Sequence, residues 1–259
     1  MAITGRFNTD SKALVNRINA HDKFGSKDIN EWIFLNLELD KGLSIVDIGC
    51  GTGKQTIPMA ETVGSLGSII AVDVSNESLE ILLSDSKKKN IEKNISILNC
   101  DLDNLDRHLS INKFDRALAS FSIYYSKNPE GLFKTIHTAL KAGGIFFFCG
   151  PSSKNNSELK EFIAAIKNSS PEDTGRGADF MENIGQRLAL GLFDQVETSL
   201  FENPLMFNSP ESLYSYWSSY NLYEEKFDDD FRKAASEHFR ANKYFRTCKR
   251  VVGVKAVKQ

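Results

Sequence analysis

The strongest constraint on the fold of this chain is a glycine turn between a predicted strand and a predicted helix. Three glycines recur at every second position in Asp47-Ile48-Gly49-Cys50-Gly51-Thr52-Gly53, at the end of the apolar run 44–48. The residues that follow recur at helical spacing, namely Thr56, Met59, Ala60 and Val63. Because glycines leave backbone amides uncovered, such a turn lets a ligand approach the start of the helix closely. The segment therefore predicts the ligand-binding edge of a parallel α/β sheet.

Strand-like and helix-like segments alternate from about Leu43 to Gly150. This alternation is typical of βαβ units and of a parallel sheet. The predicted strands cover residues 44–48, 68–73, 95–98, 114–119 and 145–148. Two later strands, 193–200 and 250–257, are expected to pair antiparallel at the sheet edge, and residues 28–37 are expected to form a helix. The helix that opens at Asn128 is expected to continue to Gly143-Gly144.

Acidic residues end the second and third predicted strands. Asp73 lies 20 residues after Gly53, about the spacing at which a carboxylate reaches ribose hydroxyls. Asp101 can accept a hydrogen bond from an adenine amino group, and Leu102 can flank the ring. Since the carboxyl ends of parallel strands meet at one edge of the sheet, this set of residues predicts a site for an adenosyl ligand.

The glycine turn and the two acids resemble those of the class I S-adenosylmethionine (SAM)-dependent methyltransferases, roughly over 43–150. The resemblance implies SAM as cofactor and S-adenosylhomocysteine (SAH) as product. It implies that the glycines lie along the methionine part of SAM, that Asp47 orders the turn or approaches the amino group, and that Asp73 holds the ribose. The complete set of cofactor-binding residues that it implies is Asp47, Gly49, Cys50, Gly51, Thr52, Gly53, Asp73, Val74, Asp101, Leu102, Ser120 and Phe121.

The segment after the fourth strand, 119–125, indicates the kind of acceptor. Families that methylate exocyclic amines of nucleobases typically carry an Asn/Asp-Pro-Pro-Tyr/Phe motif there, and this motif is absent. Ser120-Phe121 followed by Tyr124-Tyr125 looks more like small-molecule methyltransferases of quinone biosynthesis or of the trans-aconitate type. Tyr124 and Tyr125 are candidates to cap SAM or to orient the substrate. His21, before the first helix, is a candidate general base.

The other reactive side chains have plainer interpretations. His108, His137 and His238 are expected at the surface or in packing, and Cys50 is expected to fill a slot that needs a small residue. The cysteines are scattered without CxxC or CxxH spacing, which predicts free thiols and no metal site. Arg176, between two glycines, either closes over an acidic substrate or lies in a surface loop. The helical stripe of Leu213, Tyr216, Trp217 and Tyr220 is expected to face a core, or else to line a substrate pocket.

Charge and hydropathy restrict the partners. A net charge of −2 and a pI near 6.1 supply no global basic surface for a phosphate backbone, although they leave room for a local basic patch. No nucleic-acid partner is therefore expected. The longest apolar run, 145–149, is too short to span a bilayer. We therefore expect a cytoplasmic protein without a membrane partner, either a monomer or a homodimer, that acts on a small-molecule methyl acceptor.

The expected fold is α/β: a Rossmann-like, doubly wound, seven-stranded sheet, mostly parallel with an antiparallel edge, and with a helical substrate cover. One methyltransferase domain is predicted over 1–259. It comprises an N-terminal helical cover (1–40), the SAM-binding core (41–150), a mobile cover insertion (151–192), and late strands and helices that complete the sheet (193–259).

The predicted reaction is methyl transfer from SAM to an O, N or carboxylate acceptor, promoted mainly by proximity and desolvation. Two alternatives stay open: other SAM chemistry such as cyclisation of SAM, and a SAM-binding module without catalysis. A nicotinamide-dinucleotide domain fits less well, because its G-x-G-x-x-G spacing differs from the spacing found here.

Overall fold

The computed structural model describes residues 24–171, 175–220 and 223–259. Within these residues the chain forms a seven-stranded sheet of order β3-β2-β1-β4-β5-β7-β6. Strands β1 to β5 are mutually parallel, and β7 pairs antiparallel with β5. The predicted fold class, a mostly parallel sheet with an antiparallel edge, is confirmed. The strand bounds are β1 Ser44–Ile48, β2 Ser68–Asp73, β3 Ile95–Asn99, β4 Phe114–Ser120, β5 Leu140–Pro151, β6 Gln195–Phe207 and β7 Phe245–Val257.

Successive residues of the central strands enter two different cores, because side chains alternate between the faces of a sheet. Val46 and Ile48 of β1 pack in one core together with Phe133 and Ile136. Ile45 packs in the other core, which includes the buried residues Ile29, Met59 and Leu79. Both faces are therefore covered by helices, as a doubly wound sheet requires. These helices are α1 Ile29–Leu37, α2 Thr56–Val63, α3 Asn76–Lys88 and α4 Pro129–Ala139.

The helices after β2 and β4 begin at the capping residues that the sequence indicates. The Ser75 side chain accepts a hydrogen bond from the backbone N–H of Ser78 at the start of α3. The Asn128 side chain accepts one from Gly131, and Pro129 occupies the first turn of α4. Each cap satisfies a backbone donor that the helix itself leaves unpaired.

One boundary prediction is wrong: α4 ends at Ala139 and does not continue to Gly143-Gly144. Leu140 is already extended, with ψ 141°, and it is in register with Phe114 of β4. The helical spacing of Leu140 on α4 is thus overridden by strand pairing, which begins three residues before the glycines. The late strands β6 and β7 are also longer than the predicted ranges 193–200 and 250–257.

The chain divides into two compact units. The first contains the described residues 24–28, 154–171, 202–220 and 223–250. Its helices are α5 Ser157–Lys167, α8 Pro210–Ser218 and α9 Asp228–Ala241. Leu213, Tyr216 and Trp217 are buried in its core, where Trp217 stacks on Phe231 with ring centroids 4.1 Å apart. The helical stripe of aromatic residues therefore faces a core, as expected.

The second unit contains residues 29–153, 175–201 and 251–259. Residues 175–190 form a continuous helical stretch in it: α6 Gly175–Asp179, a π-helical turn Phe180–Ile184, and α7 Gly185–Leu190. Arg176 thus lies in a helix, and the expected surface loop at this position is wrong. The predicted insertion 151–192 is shared between the two units, and its role as a mobile cover stays a prediction, as does the single-domain division of 1–259. No helix within the described ranges is long and apolar enough to cross a membrane.

Candidate functional site

The glycine turn between β1 and α2 has a backbone that side chains disfavour. Gly49, Gly51 and Gly53 have φ values of +75°, +54° and +88°, in the region that glycine adopts without strain. A Cβ added at Gly49 would lie 2.2 Å from the Cβ of Ser122, and one added at Gly53 would lie 2.3 Å from Leu82. The backbone N–H groups of Gly49 and Cys50 donate to the Val72 carbonyl, at 2.7 and 2.9 Å. The turn is therefore fixed against the end of β2 and excludes side chains at two of its glycines.

Asp47 is buried beneath this turn. Its carboxylate accepts a hydrogen bond from the hydroxyl of Thr56, with 2.6 Å between the oxygens, so it connects β1 to the first residue of α2. Burial raises the pKa of Asp47 to about 7, the hydrogen bond from Thr56 lowers it in part, and the nearby charge of Asp73 raises it. Asp47 thus connects the two elements on either side of the turn, and both of its predicted roles stay predictions.

Asp73 stands directly beside the glycine turn. One carboxylate oxygen accepts a hydrogen bond from the Gly51 N–H at 2.8 Å, and the other accepts one from the Ser75 N–H at 2.8 Å. Val74, the next residue, keeps 63% of its surface exposed. An acid and an exposed apolar side chain thus follow each other at the carboxyl end of β2.

Asp101 and Leu102 lie at the end of β3. One Asp101 carboxylate oxygen accepts a hydrogen bond from the Asp103 N–H at 2.9 Å and caps the short helix Leu102–Arg107. Among the described residues its second carboxylate oxygen has no hydrogen-bond partner. Leu102 is partly buried against the core. The structure therefore brings both predicted adenine-side residues to the same edge of the sheet as Asp73.

The segment after β4 is fastened to the glycine turn. The Ser122 hydroxyl donates to the Ile48 carbonyl at 2.5 Å, and the Phe121 N–H donates to the Cys149 carbonyl at 2.8 Å. Phe121 has a φ of +57°, which a non-glycine residue rarely adopts and which often marks a functional position. Ser120 accepts a weak contact from the Cys149 thiol at 3.5 Å. The contact of Ser122 with the turn was not predictable from a local pattern, because it depends on the packing of two distant loops.

Tyr124 and Tyr125 are adjacent, but their environments differ. Tyr124 is buried with 9% of its surface exposed, whereas Tyr125 is 48% exposed, and their ring centroids are 4.8 Å apart. A Cβ added at Gly150 would lie 2.9 Å from the Tyr124 ring, and one added at Gly177 would lie 3.4 Å from it. Tyr124 therefore packs between the end of β5 and α6, while Tyr125 presents its ring to solvent.

The end of this segment carries a polar network that sequence reasoning did not identify. The Ser126 hydroxyl donates to Asp103 at 2.5 Å, and the Lys127 N–H donates to the same carboxylate at 2.8 Å. The Arg176 guanidinium donates to the Ser126 carbonyl at 2.5 Å. These hydrogen bonds connect α6 to the residues that follow the two tyrosines.

The remaining predicted side chains lie elsewhere or outside the described residues. His21 lies outside them, so its role as a base stays a prediction. The His137 ring contacts Phe193, with 5.1 Å between ring centroids, His238 is hydrogen-bonded to the Tyr244 carbonyl, and His108 is exposed. Cys50 is buried in the turn, where burial strongly raises the pKa of its thiol. These positions agree with surface and packing roles. The described residues contain no group of three or more His, Cys, Asp or Glu that could hold a metal ion.

These residues fit an adenosyl ligand on their own chemistry. The missing Cβ atoms at Gly49 and Gly53 let Ser122 and Leu82 pack directly against the turn. Asp73 and Asp101 supply acceptors for hydroxyl and amino donors, and Val74 exposes apolar surface beside them. Carboxylates at this edge also favour a ligand that carries positive charge, because opposite charges attract more strongly near a protein surface than in bulk water. Thr52, in the turn itself, is partly exposed.

Comparison with known proteins gives a consistent result. Residues 39–197 match the family described as Methyltransferase domain. A demethylmenaquinone methyltransferase of Staphylococcus epidermidis is 30% identical over 113 residues, which cover 44% of this chain and 45% of that protein. The chain spans about half the length of the curated relatives it matches.

Two solved structures share the fold at low sequence identity. A geranyl diphosphate methyltransferase in complex with SAM has a TM-score of 0.54 and 12% identity, and the similarity covers 100% of this chain and 93% of that one. The 4+2 cyclase SpnF has a TM-score of 0.60 and 14% identity, and the similarity covers 97% of this chain and 94% of that one. At such identities the likeness concerns the fold and leaves the reaction open.

Proposed function

Because the chain belongs to the class I SAM-dependent methyltransferase family, whose cofactor is SAM, we propose that it transfers the SAM methyl group to a nucleophilic O, N or carboxylate atom of a small molecule. The observation that carries this proposal is the hydrogen bond between Asp73 and the Gly51 N–H at 2.8 Å. It holds the predicted ribose acceptor directly against the turn that is predicted to receive the methionine part.

The assignment of cofactor-binding residues is part of the proposal. Gly49, Gly51 and Gly53 would lie along the methionine part, with Cys50 and Thr52 between them. Asp73 would hold the ribose hydroxyls, and Val74, Asp101 and Leu102 would surround adenine. Ser120 and Phe121, at the end of β4, would lie near the reacting centre.

The protein residues need to position the reactants more than to activate them. Bound SAM supplies an activated methyl group on a sulfonium, so the protein must hold the acceptor in line and exclude water. Tyr124, packed between β5 and α6, provides a rigid wall, and Tyr125 offers an exposed aromatic face beside it. A carboxylate or a neutral amine needs no general base. A phenol would gain from one, and His21 and the tyrosines are the candidates.

A methyl-transfer assay tests the proposal. The purified chain is incubated with SAM that carries a 13C-labelled methyl group and with a panel of phenols, amines, carboxylic acids and demethylmenaquinone, the last chosen from the relative's name. We expect equimolar SAH and a singly methylated product from at least one compound, and loss of both in Asp73→Ala. SAH-free conversion of SAM would favour the cyclisation alternative. Binding of SAM without any turnover across the panel would favour a non-catalytic module.

Assembly and location stay predictions: a monomer or homodimer in the cytoplasm, acting on a small molecule. Size-exclusion chromatography with light scattering measures the first directly.

A further inference from the structure

We propose that Arg176 determines the acceptor class: the acceptor carries a carboxylate, which the Arg176 guanidinium binds beside Tyr124 and Tyr125. This inference rests on the proposed methyl transfer and specifies its substrate.

The guanidinium is held in place next to the proposed acceptor wall. It donates to the Ser126 carbonyl at 2.5 Å, and Ser126 directly follows Tyr125. The helix that carries it packs closely, since a Cβ added at Gly177 would lie 3.1 Å from Pro151 and 3.4 Å from Tyr124. Side chain and helix are therefore both fixed to the segment after β4, which itself is fastened to the glycine turn through Ser122.

Arg176 has no acidic partner among the described residues. Its side chain is exposed, and the Ser126 carbonyl is the one acceptor that it contacts in the part of the chain that the structure describes. The acid in the same network, Asp103, already accepts hydrogen bonds from the Ser126 hydroxyl and from the Lys127 and Asn128 N–H groups. These hydrogen bonds and the charge of Lys127 lower the pKa of Asp103 against the effect of burial. No acid in the described ranges therefore neutralises the positive charge of Arg176, and this charge can pair with an anionic ligand.

The geometry of the guanidinium favours a planar anion. One terminal nitrogen, Nη2, uses one of its two N–H groups for the neutral Ser126 carbonyl. Its second N–H lies parallel to an N–H of either Nε or Nη1, so one edge of the guanidinium still presents two parallel donors to a ligand. Two such donors match the two oxygens of a carboxylate and form a charge-assisted, bidentate pair. The anchor also removes rotamer freedom in advance, so less side-chain entropy is lost when the anion binds.

The carboxylate is an anchor during the transfer. The acceptor's nucleophilic atom donates an electron pair to the methyl carbon, and the pair of the breaking carbon–sulfur bond goes to sulfur, which becomes the neutral thioether of SAH. A proton on the nucleophile, where there is one, is released to water. If a second group of the acceptor is the nucleophile, the carboxylate keeps its charge and its pairing with Arg176 throughout. The methionine part of SAM also carries a carboxylate, so the test must distinguish binding of the acceptor carboxylate from binding of the SAM carboxylate.

Calorimetric titration of the SAH-bound full chain tests the inference. The probes are 2-hydroxybenzoate, 1-hydroxy-2-naphthoate and 3-phenylpropanoate, each compared with its primary amide. We expect at least one acid to bind tenfold or more tightly than its amide. Arg176→Gln should lower the affinity for that acid at least tenfold and leave the amide unchanged. Arg176→Lys should recover part of the loss, because it keeps the charge and lacks the bidentate geometry.

Steady-state kinetics of Arg176→Gln, with Arg187→Gln as control, provide a second test of this role. For an acid that is methylated, Arg176→Gln should raise KM with little change in kcat, because the lost contact is made equally in the ground and transition states. Arg187→Gln removes another exposed arginine from the same helical stretch and should change neither value.

Three results would overturn the inference. The first is equal binding of acids and amides by the wild type, or no binding of any acid. The second is an acid preference that survives Arg176→Gln. The third is a matching loss of affinity for SAH itself in Arg176→Gln, which would assign the guanidinium to the cofactor carboxylate. A wild type that binds no SAH would instead overturn the proposed function, and this inference with it.

Discussion

Gly49, in the turn after β1, and Gly64, directly after α2, both have a positive φ but differ in the space around them. Gly49 needs both a positive φ and the absence of a Cβ, because Ser122 occupies that space. Gly64 has a similar φ of +64°, but a Cβ added there would meet nothing within 4 Å. An alanine at Gly64 would therefore cause backbone strain alone, whereas an alanine at Gly49 would also clash with Ser122.

We predict that Gly49→Ala lowers the affinity for SAH at least tenfold, because the added methyl group displaces Ser122 and with it the segment after β4. Gly64→Ala should cost about 1–3 kcal/mol of unfolding free energy, because its φ of +64° and ψ of −167° lie in a region that is essentially restricted to glycine, and it should leave SAH affinity unchanged. Urea unfolding and calorimetry of both variants measure these effects. Equal losses of SAH affinity would show that strain alone accounts for the result.

Asp47 should make stability depend on pH. Its carboxyl ionises near pH 4 in the unfolded chain, whereas burial keeps it protonated to about pH 7 in the folded chain. The folded state thus binds more protons in this window, and the contribution of Asp47 to stability falls as the pH rises through it.

We predict that the stability of Asp47→Asn relative to wild type increases by up to about 3 kcal/mol from pH 5 to pH 8, since each pH unit in the window is worth about 1.4 kcal/mol. The asparagine can still accept the Thr56 hydrogen bond and has no charge to bury. Urea unfolding of both proteins at the two pH values gives the comparison. A pH-independent difference would contradict the raised pKa.

The first residues of helices could be predicted from the sequence where a capping residue marks them, whereas the last residues of helices were harder to predict. Ser75 and Asn128 mark helix starts by their own hydrogen bonds, which involve residues three positions away. The end of α4 depends on the pairing of Leu140 with Phe114, 26 residues earlier, and such pairing leaves no local signal in the sequence.

We predict that Ser75→Ala lowers the unfolding free energy by about 1 kcal/mol, because the Ser78 N–H loses its capping partner. Ser84 is exposed in the same helix, and Ser84→Ala should be neutral or slightly stabilising, since alanine has the higher helix propensity. Urea unfolding of both variants provides the test. A loss in Ser84→Ala as large as in Ser75→Ala would contradict a specific role for the cap.

For the whole molecule, the sequence predicted the sheet and its ligand-binding edge because both depend on short, repeated patterns. The strand–glycine turn–helix unit and the acids after β2 and β3 are each local, and parallel topology brings them to one edge. Ser122 and the Arg176–Ser126 contact were not predictable, since they join segments 50 or more residues apart. The role proposed for Arg176 could consequently be inferred only from the structure.

Calorimetric titration of the full chain with SAH tests the proposed cofactor site at Asp73. It compares wild type, Asp73→Ala and the control Asp85→Ala, which alters an acid on α3 that pairs with Lys88. We predict micromolar binding by wild type and control. Asp73→Ala should bind about 10- to 100-fold more weakly, the cost of leaving ribose hydroxyls unpaired. Folded wild-type protein that binds no SAH would contradict the assigned cofactor, and an Asp73→Ala variant that binds SAH as tightly as wild type would contradict the ribose-binding role of Asp73.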